Sequence, residues 1–271
     1  MRISLGFSPC PNDTFIFEGL VHGGIDTGAF HFDVYLEDVE TLNRWAIEKK
    51  LQVTKFSYGV LGAIRSNYRV LNTGSALGAG VGPLLIGHPE LSNLAPEGQV
   101  IALPGEHTTA HLLFHRAYPR ALNKVFLRYD DIEAFALEKK GLGVIIHENR
   151  FTYAEKGLVR ITDLGARWEQ SMGLPVPLGG IAVRNDLDRE VARQVEELIG
   201  RSIRRARERE QVVTPYIARH ALEMSEDVMR RHIALYVNDY SLDLGATGRN
   251  AVIELMRNQE NGTDENGGIF L

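Results

Sequence analysis

Short apolar runs alternate with stretches of helical period from the first residues of this sequence, and that alternation leaves few folds open to it. A strand-like run at 3–7 is followed by a helical pattern carrying Phe15, Ile16 and Leu20, with Asn12 or Asp13 able to cap it and Gly23-Gly24 able to stop it. Strand-like residues at 32–36, a helix from about Val39 and a strand at 51–56 repeat the unit. Such βα alternation predicts a largely parallel sheet with helices packed on its faces. Residues 58–64 read as a short helix, 69–71 as a short strand, and 82–86 as another strand after a glycine-rich segment.

The pattern then restarts, with strands at 100–103, 124–128, 142–146 and 159–161 and helices from Thr109 and Asp131, which suggests a second lobe. A strand at 178–183 leads into an amphipathic helix in which Leu187, Val191, Val195, Leu198, Ile199 and Ile203 recur mostly at spacings of three and four. We therefore expect a discontinuous first α/β domain over 1–87 and 178–271 and a smaller one over 88–177. Two crossing strands would form a hinge beside a central cleft. Loops at the C-terminal ends of strands would face that cleft. The polar, glycine-rich stretch 261–268 reads as a mobile tail.

With 44% hydrophobic and 24% charged residues, the 271-residue chain has ordinary globular composition. Its formal charge of −5 argues against a nucleic-acid partner, since phosphate binding calls for a basic face. The basic run Arg201, Arg204, Arg205, Arg207 and Arg209 is interleaved with Glu190, Glu196, Glu197, Glu208 and Glu210 and reads as a solvated helix face. No window approaches the roughly 18 apolar residues of a membrane span. The run at 3–7 is too short for a signal sequence, and Cys10 is the only cysteine, so a cytoplasmic location without disulfides is expected.

Four stretches carry candidate chemistry. In Ser8-Pro9-Cys10-Pro11-Asn12-Asp13-Thr14, Cys10 is either a thiol activated at a helix start or, as we favour, a small packed side chain. In Pro104-Gly105-Glu106-His107-Thr108-Thr109-Ala110 a strand turns into a helix, and this start serves as an anion site, a simple N-cap, or both. His107, His111 and His115 fall at steps of four, but the acidic residue of a metalloprotease motif is missing, so no metal is expected. Gly141-Leu142-Gly143-Val144-Ile145-Ile146-His147-Glu148 delivers a histidine to a strand end, where it is either a general base or a hydrogen-bonded structural group. Lys55-Phe56-Ser57-Tyr58 ends a strand at the same cleft, and the glycines of 74–83 match no dinucleotide or phosphate-loop fingerprint.

These segments, together with Asp38-Val39-Glu40-Thr41-Leu42-Asn43, Gly80-Val81-Gly82-Pro83-Leu84, Arg150-Phe151-Thr152-Tyr153 and the stretch from Leu174-Pro175 through Gly179, resemble the 1,4-dihydroxy-6-naphthoate synthases of the futalosine route to menaquinone. The likeness runs in order over nearly the whole chain. It implies a two-lobed, periplasmic-binding-protein-like (type II) α/β fold and no cofactor. It also implies conversion of cyclic dehypoxanthine futalosine, a small carboxylated substrate, to 1,4-dihydroxy-6-naphthoate with loss of the sugar-derived fragment. By the same resemblance His147 is the base, and Lys55, Ser57, Thr109 and Ala110 contact substrate. Thr108 joins them as a candidate for the carboxylate. The rivals are chorismate dehydratase, a sister enzyme of the pathway, and a carboxylate-binding transport receptor. Oligomeric state is not legible.

Overall fold

The computed structural model describes residues 1–221, 225–257 and 268–271. Its strands are β1 (Arg2–Phe7), β2 (His31–Leu36), β3 (Val53–Ser57), β4 (Tyr68–Val70), β5 (Ala76–Gly78), β6 (Leu84–Gly87), β7 (Ile101–Leu103), β8 (Lys124–Phe126), β9 (Leu142–Ile145), β10 (Val159–Asp163) and β11 (Val176–Arg184). They form two mixed sheets, one in the order β2-β1-β3-β11-β4 with β5 paired to β11, the other in the order β10-β6-β9-β7-β8. In the first, β1 runs parallel to β2 and β3, while β11 is antiparallel to β3, β4 and β5. In the second, β7 runs parallel to β8 and β9, while β6 is antiparallel to β9 and β10.

The chain leaves the first sheet after β5 and re-enters it at β11. Because β6 pairs with β9 and β10, the first crossing falls at 79–83, ahead of the strand that the sequence reading kept in the first domain. All four residues of β6 are buried, and an evenly apolar run carries no mark of the sheet it joins. The crossing is tight. A Cβ on Gly82 would lie 2.2 Å from the Cα of Gly165, and one on Gly165 would lie 2.5 Å from the Cα of Gly82. Only paired glycines let the backbones pass there.

One face of the first sheet packs Ile3, Leu5 and Phe7 against Val195, Ile199 and Ile203 of the helix Arg189–Glu208. Asp188 caps that helix through the N–H groups of Glu190 and Val191. Arg201, Arg204, Arg205 and Arg207 lie exposed, as the charge pattern suggested. A second apolar cluster is continuous between the lobes, joining Tyr58 and Tyr68 to Leu103, Phe114 and Trp168. The tail segment 261–267 lies outside the described residues. Beyond it the chain docks beside β4, where the Val70 N–H donates to Ile269 O at 2.7 Å and the Leu271 N–H to Val70 O at 3.0 Å.

The first helix, Pro11–Val21, begins earlier than capping by Asn12 or Asp13 would require: Cys10 is the N-cap residue and Pro11 opens the helix. Proline supplies the helical φ and lacks the N–H that would go unsatisfied there. Asn12 and Asp13 thereby sit in the first turn, with their side chains turned to the cleft.

Candidate active site

Two pairs of parallel strands end at one cleft. In the first sheet, β1 and β3 run side by side with Leu5 opposite Val53, and their ends deliver Ser8 to Asp13 on one hand and Lys55 and Ser57 on the other. In the second, β7 and β9 pair Ile101 with Leu142, and their ends deliver Thr108 to Ala110 and His147. The cleft between these ends is lined by Ser8, Asn12, Asp13, Lys55, Ser57, Thr108, Thr109, Ala110 and His147, with Val39, Phe56 and Ile145 among its apolar walls. This is the strand-end placement that α/β sheets favour for ligands.

On the first-lobe wall, Lys55 Nζ lies 2.9 Å from Asp13 Oδ1, both side chains buried, and also donates to Gly74 O at 3.1 Å. Asp13 Oδ2 accepts from Ser8 Oγ at 2.7 Å and from the Ser8 N–H at 3.2 Å. Lys55 thus reaches the cleft as half of a compensated ion pair. Its partner Asp13 was read from the sequence only as a possible helix cap, because nothing local links positions 13 and 55. Ser57 Oγ accepts from Asn43 Nδ2 at 3.1 Å, which leaves the serine proton to be donated, and the Ser57 N–H is held by Asn43 Oδ1 at 2.8 Å.

Both threonine hydroxyls on the opposite wall are committed to structure. Thr108 Oγ1 donates to Gly105 O at 2.9 Å and caps the nine-residue helix Thr109–Ala117 by accepting from the His111 N–H. Thr109 Oγ1 donates to Leu178 O at 2.6 Å and accepts from the Gly59 N–H at 2.9 Å, bridging the two lobes. Asn43 Nδ2 adds a bridge to His107 O at 3.2 Å, and Glu40 accepts from the His107 N–H at 3.1 Å. A Cβ on Gly59 would fall 2.6 Å from the carbonyl of Thr108, so the helix start is seated directly on the first lobe. What this start offers a ligand is its first backbone N–H groups, at Thr109 and Ala110, which have no intrahelical acceptor.

His147 follows β9 with φ of 59°, a left-handed conformation that histidine, asparagine and aspartate adopt more readily than other side chains. Burial drives its imidazole down to about 4; the charge of Asp13 opposes that fall and the charge of Lys55 reinforces it. The ring is therefore neutral at physiological pH and able to take a proton. Tyr129 meets it edge-on, with ring centroids 5.0 Å apart. Cys10 Sγ, a ring nitrogen of His147 and a carboxylate oxygen of Glu148 lie within 4.8 Å of one another. Desolvation and then the Glu148 charge push the Cys10 thiol well above its usual range, which fits the packed reading of that residue rather than the nucleophilic one. The histidine stripe does not converge on a metal geometry among the described residues. His111 is held between Glu106 O at 2.8 Å and Lys124 Nζ at 3.2 Å.

Among the lining residues, Arg150 and His232 were given no role by the sequence. Arg150 Nη1 donates to Gly82 O at 3.0 Å, and His232, from the helix Glu226–Tyr236, is fully buried with Nε2 2.8 Å from Asn12 Oδ1. His232 lies in a helical region with no local motif, 220 residues from its partner, so only the tertiary fold joins them.

The sequence profile of a menaquinone biosynthesis family matches residues 3–261. A 1,4-dihydroxy-6-naphtoate synthase from Thermus thermophilus is 45% identical over 259 residues, covering 95% of this chain and 94% of that one. Another from Streptomyces coelicolor is 36% identical over 94% of this chain and 91% of its own. A solved structure from Archaeoglobus fulgidus superposes with a TM-score of 0.89 at 31% identity, covering 95% of this chain and 96% of that one. The periplasmic aliphatic sulphonate binding protein of Escherichia coli superposes with a TM-score of 0.64 at 10% identity, over 94% and 85% of the two chains. That likeness establishes the periplasmic-binding-protein-like fold. With a profile match and relatives that span nearly its whole length, the chain belongs to the menaquinone biosynthesis family.

Proposed function

We propose that the chain is a 1,4-dihydroxy-6-naphthoate synthase that converts cyclic dehypoxanthine futalosine to 1,4-dihydroxy-6-naphthoate in the cytoplasm, using its own side chains without a cofactor. The observation that carries this reading is the 45% identity to the Thermus thermophilus enzyme over 95% of the chain. The cleft supplies chemistry that suits it. The substrate carboxylate is received by the Thr109 and Ala110 N–H groups and by the Ser57 hydroxyl, donors gathered at a helix start where negative charge is favoured. Lys55 and Thr108 bound the same pocket, Lys55 neutralised by Asp13 and Thr108 holding the helix start in place.

Neutral His147 then removes the acidic proton that begins ring opening. Val39, Phe56 and Ile145 keep the ring system away from water, which protects the reactive intermediate until aromatisation makes the sequence irreversible. Among the described residues no helix is long and apolar enough to cross a membrane. Incubation of the purified chain with cyclic dehypoxanthine futalosine and, separately, with chorismate tests the assignment. Aromatic product is expected from the first alone. Turnover of chorismate alone would make the chain the sister dehydratase, and binding without turnover of either would make it a receptor.

A further inference from the structure

His232 has a hydrogen-bonding capacity that nothing among the described residues uses. The Asn12 amide beside it is oriented by Asp13: a carboxylate only accepts, so the Asn12 Nδ2 group faces it, donating to Asp13 Oδ1 at 2.9 Å. The Asn12 oxygen consequently faces His232, and the 2.8 Å contact there requires the proton to sit on Nε2. Lys55 pins the far end of this chain through its 2.9 Å contact with the same Asp13 oxygen. Burial, then the neighbouring His147 and Arg150, lower the His232 pKa well below its usual value, so the ring carries no second proton. Nδ1 is left as a bare lone pair. It is buried and has no hydrogen-bond partner among the described residues, although His232 lines the cleft. Its ring lies 6.2 Å from that of His147, the two planes within 23° of each other.

A buried acceptor without a donor is costly and calls for a partner, and this one belongs to a residue that lines the cleft. We infer that His232 Nδ1 accepts a hydrogen bond from a hydroxyl on the sugar-derived part of the substrate, held beside His147 by the Lys55–Asp13–Asn12 chain. His232 is in this account a substrate-binding and specificity-determining group, while proton removal stays with His147. The inference rests on the proposed activity for the identity of the hydroxyl and on the structure alone for the tautomer.

The substitution His232→Gln separates the two sides of the ring, because a glutamine amide reaches the Nε2 position and keeps the bond to Asn12 but supplies no acceptor at Nδ1. With the parent substrate kcat/KM is expected to fall about tenfold or more, with melting temperature unchanged or raised. With a series of substrates each lacking one hydroxyl, the difference between wild type and variant is expected to vanish for one of them. An equal loss for every substrate, or no loss, would overturn the inference. Nitrogen NMR of histidine-labelled wild type needs no variant and decides the matter if His232→Gln does not fold. Nδ1 should be unprotonated in the free protein and should shift on saturation with the parent substrate but not with the matching deoxy analogue. A protonated Nδ1, or identical shifts with both, sinks it. Failure of the activity assignment would look different, as absent turnover of every substrate by the wild type.

Discussion

The start of the helix Thr109–Ala117 and the end of β9 reach the same cleft from adjacent parallel strands, yet they spend their polar atoms in opposite ways. Thr108 and Thr109 use their hydroxyls for a cap and for a bridge between the lobes. At the β9 end, His147 keeps a neutral ring within the cleft, and across from it His232 keeps a bare nitrogen. The difference teaches that a side chain's type and position name a candidate, while its unspent hydrogen-bonding capacity says whether a ligand can use it.

The sharpest way to break this contrast is His147→Asn. Asparagine tolerates the left-handed backbone at this position, so the fold should be kept while the base is lost. Turnover is expected to fall about 10²–10⁴-fold with little change in KM. Near-normal kcat would move the base to another group.

Next in size is the first-lobe wall. Lys55→Met leaves Asp13 buried without its counter-charge and should cost about 3–5 kcal/mol of stability by denaturant titration. A change below 1 kcal/mol would mean that solvent reaches the pair.

Thr109→Val sharpens the contrast from the other side. It orphans Leu178 O and the Gly59 N–H, so stability should drop by about 1–3 kcal/mol while KM stays nearly constant, the backbone N–H groups being intact. A large rise in KM with unchanged stability would make the hydroxyl a ligand group after all.

The smallest expected effect is none: exhaustive chelation should leave turnover unchanged. Recovery that depends on added zinc would direct attention to Cys10, His147 and Glu148.

The strands and helices that build the parallel pairs were legible because their signals are local: apolar runs, a glycine stop, a cap. So was the delivery of Lys55, Ser57 and His147 to strand ends. The sheet to which β6 belongs was not, since a fully buried strand reads the same in either sheet. Nor were the pairings of Asp13 with Lys55, Asn43 with Ser57 and His232 with Asn12, each of which joins residues far apart in sequence. The committed state of the Thr109 hydroxyl was hidden for the same reason, because its partners Gly59 and Leu178 are supplied by the other lobe, whereas the Thr108 cap is local and was legible.

The most direct test of His147 as the base is the dependence of kcat/KM on pH in wild type and His147→Asn. A base works in its neutral form, which is populated above its pKa, and burial lowers that pKa to about 4. Wild-type kcat/KM should therefore hold level as pH falls from neutrality and drop only on approach to pH 4, and the variant should lose that acidic limb. A limb centred near the ordinary histidine value of about 6.5, or one that persists in the variant, would contradict the account.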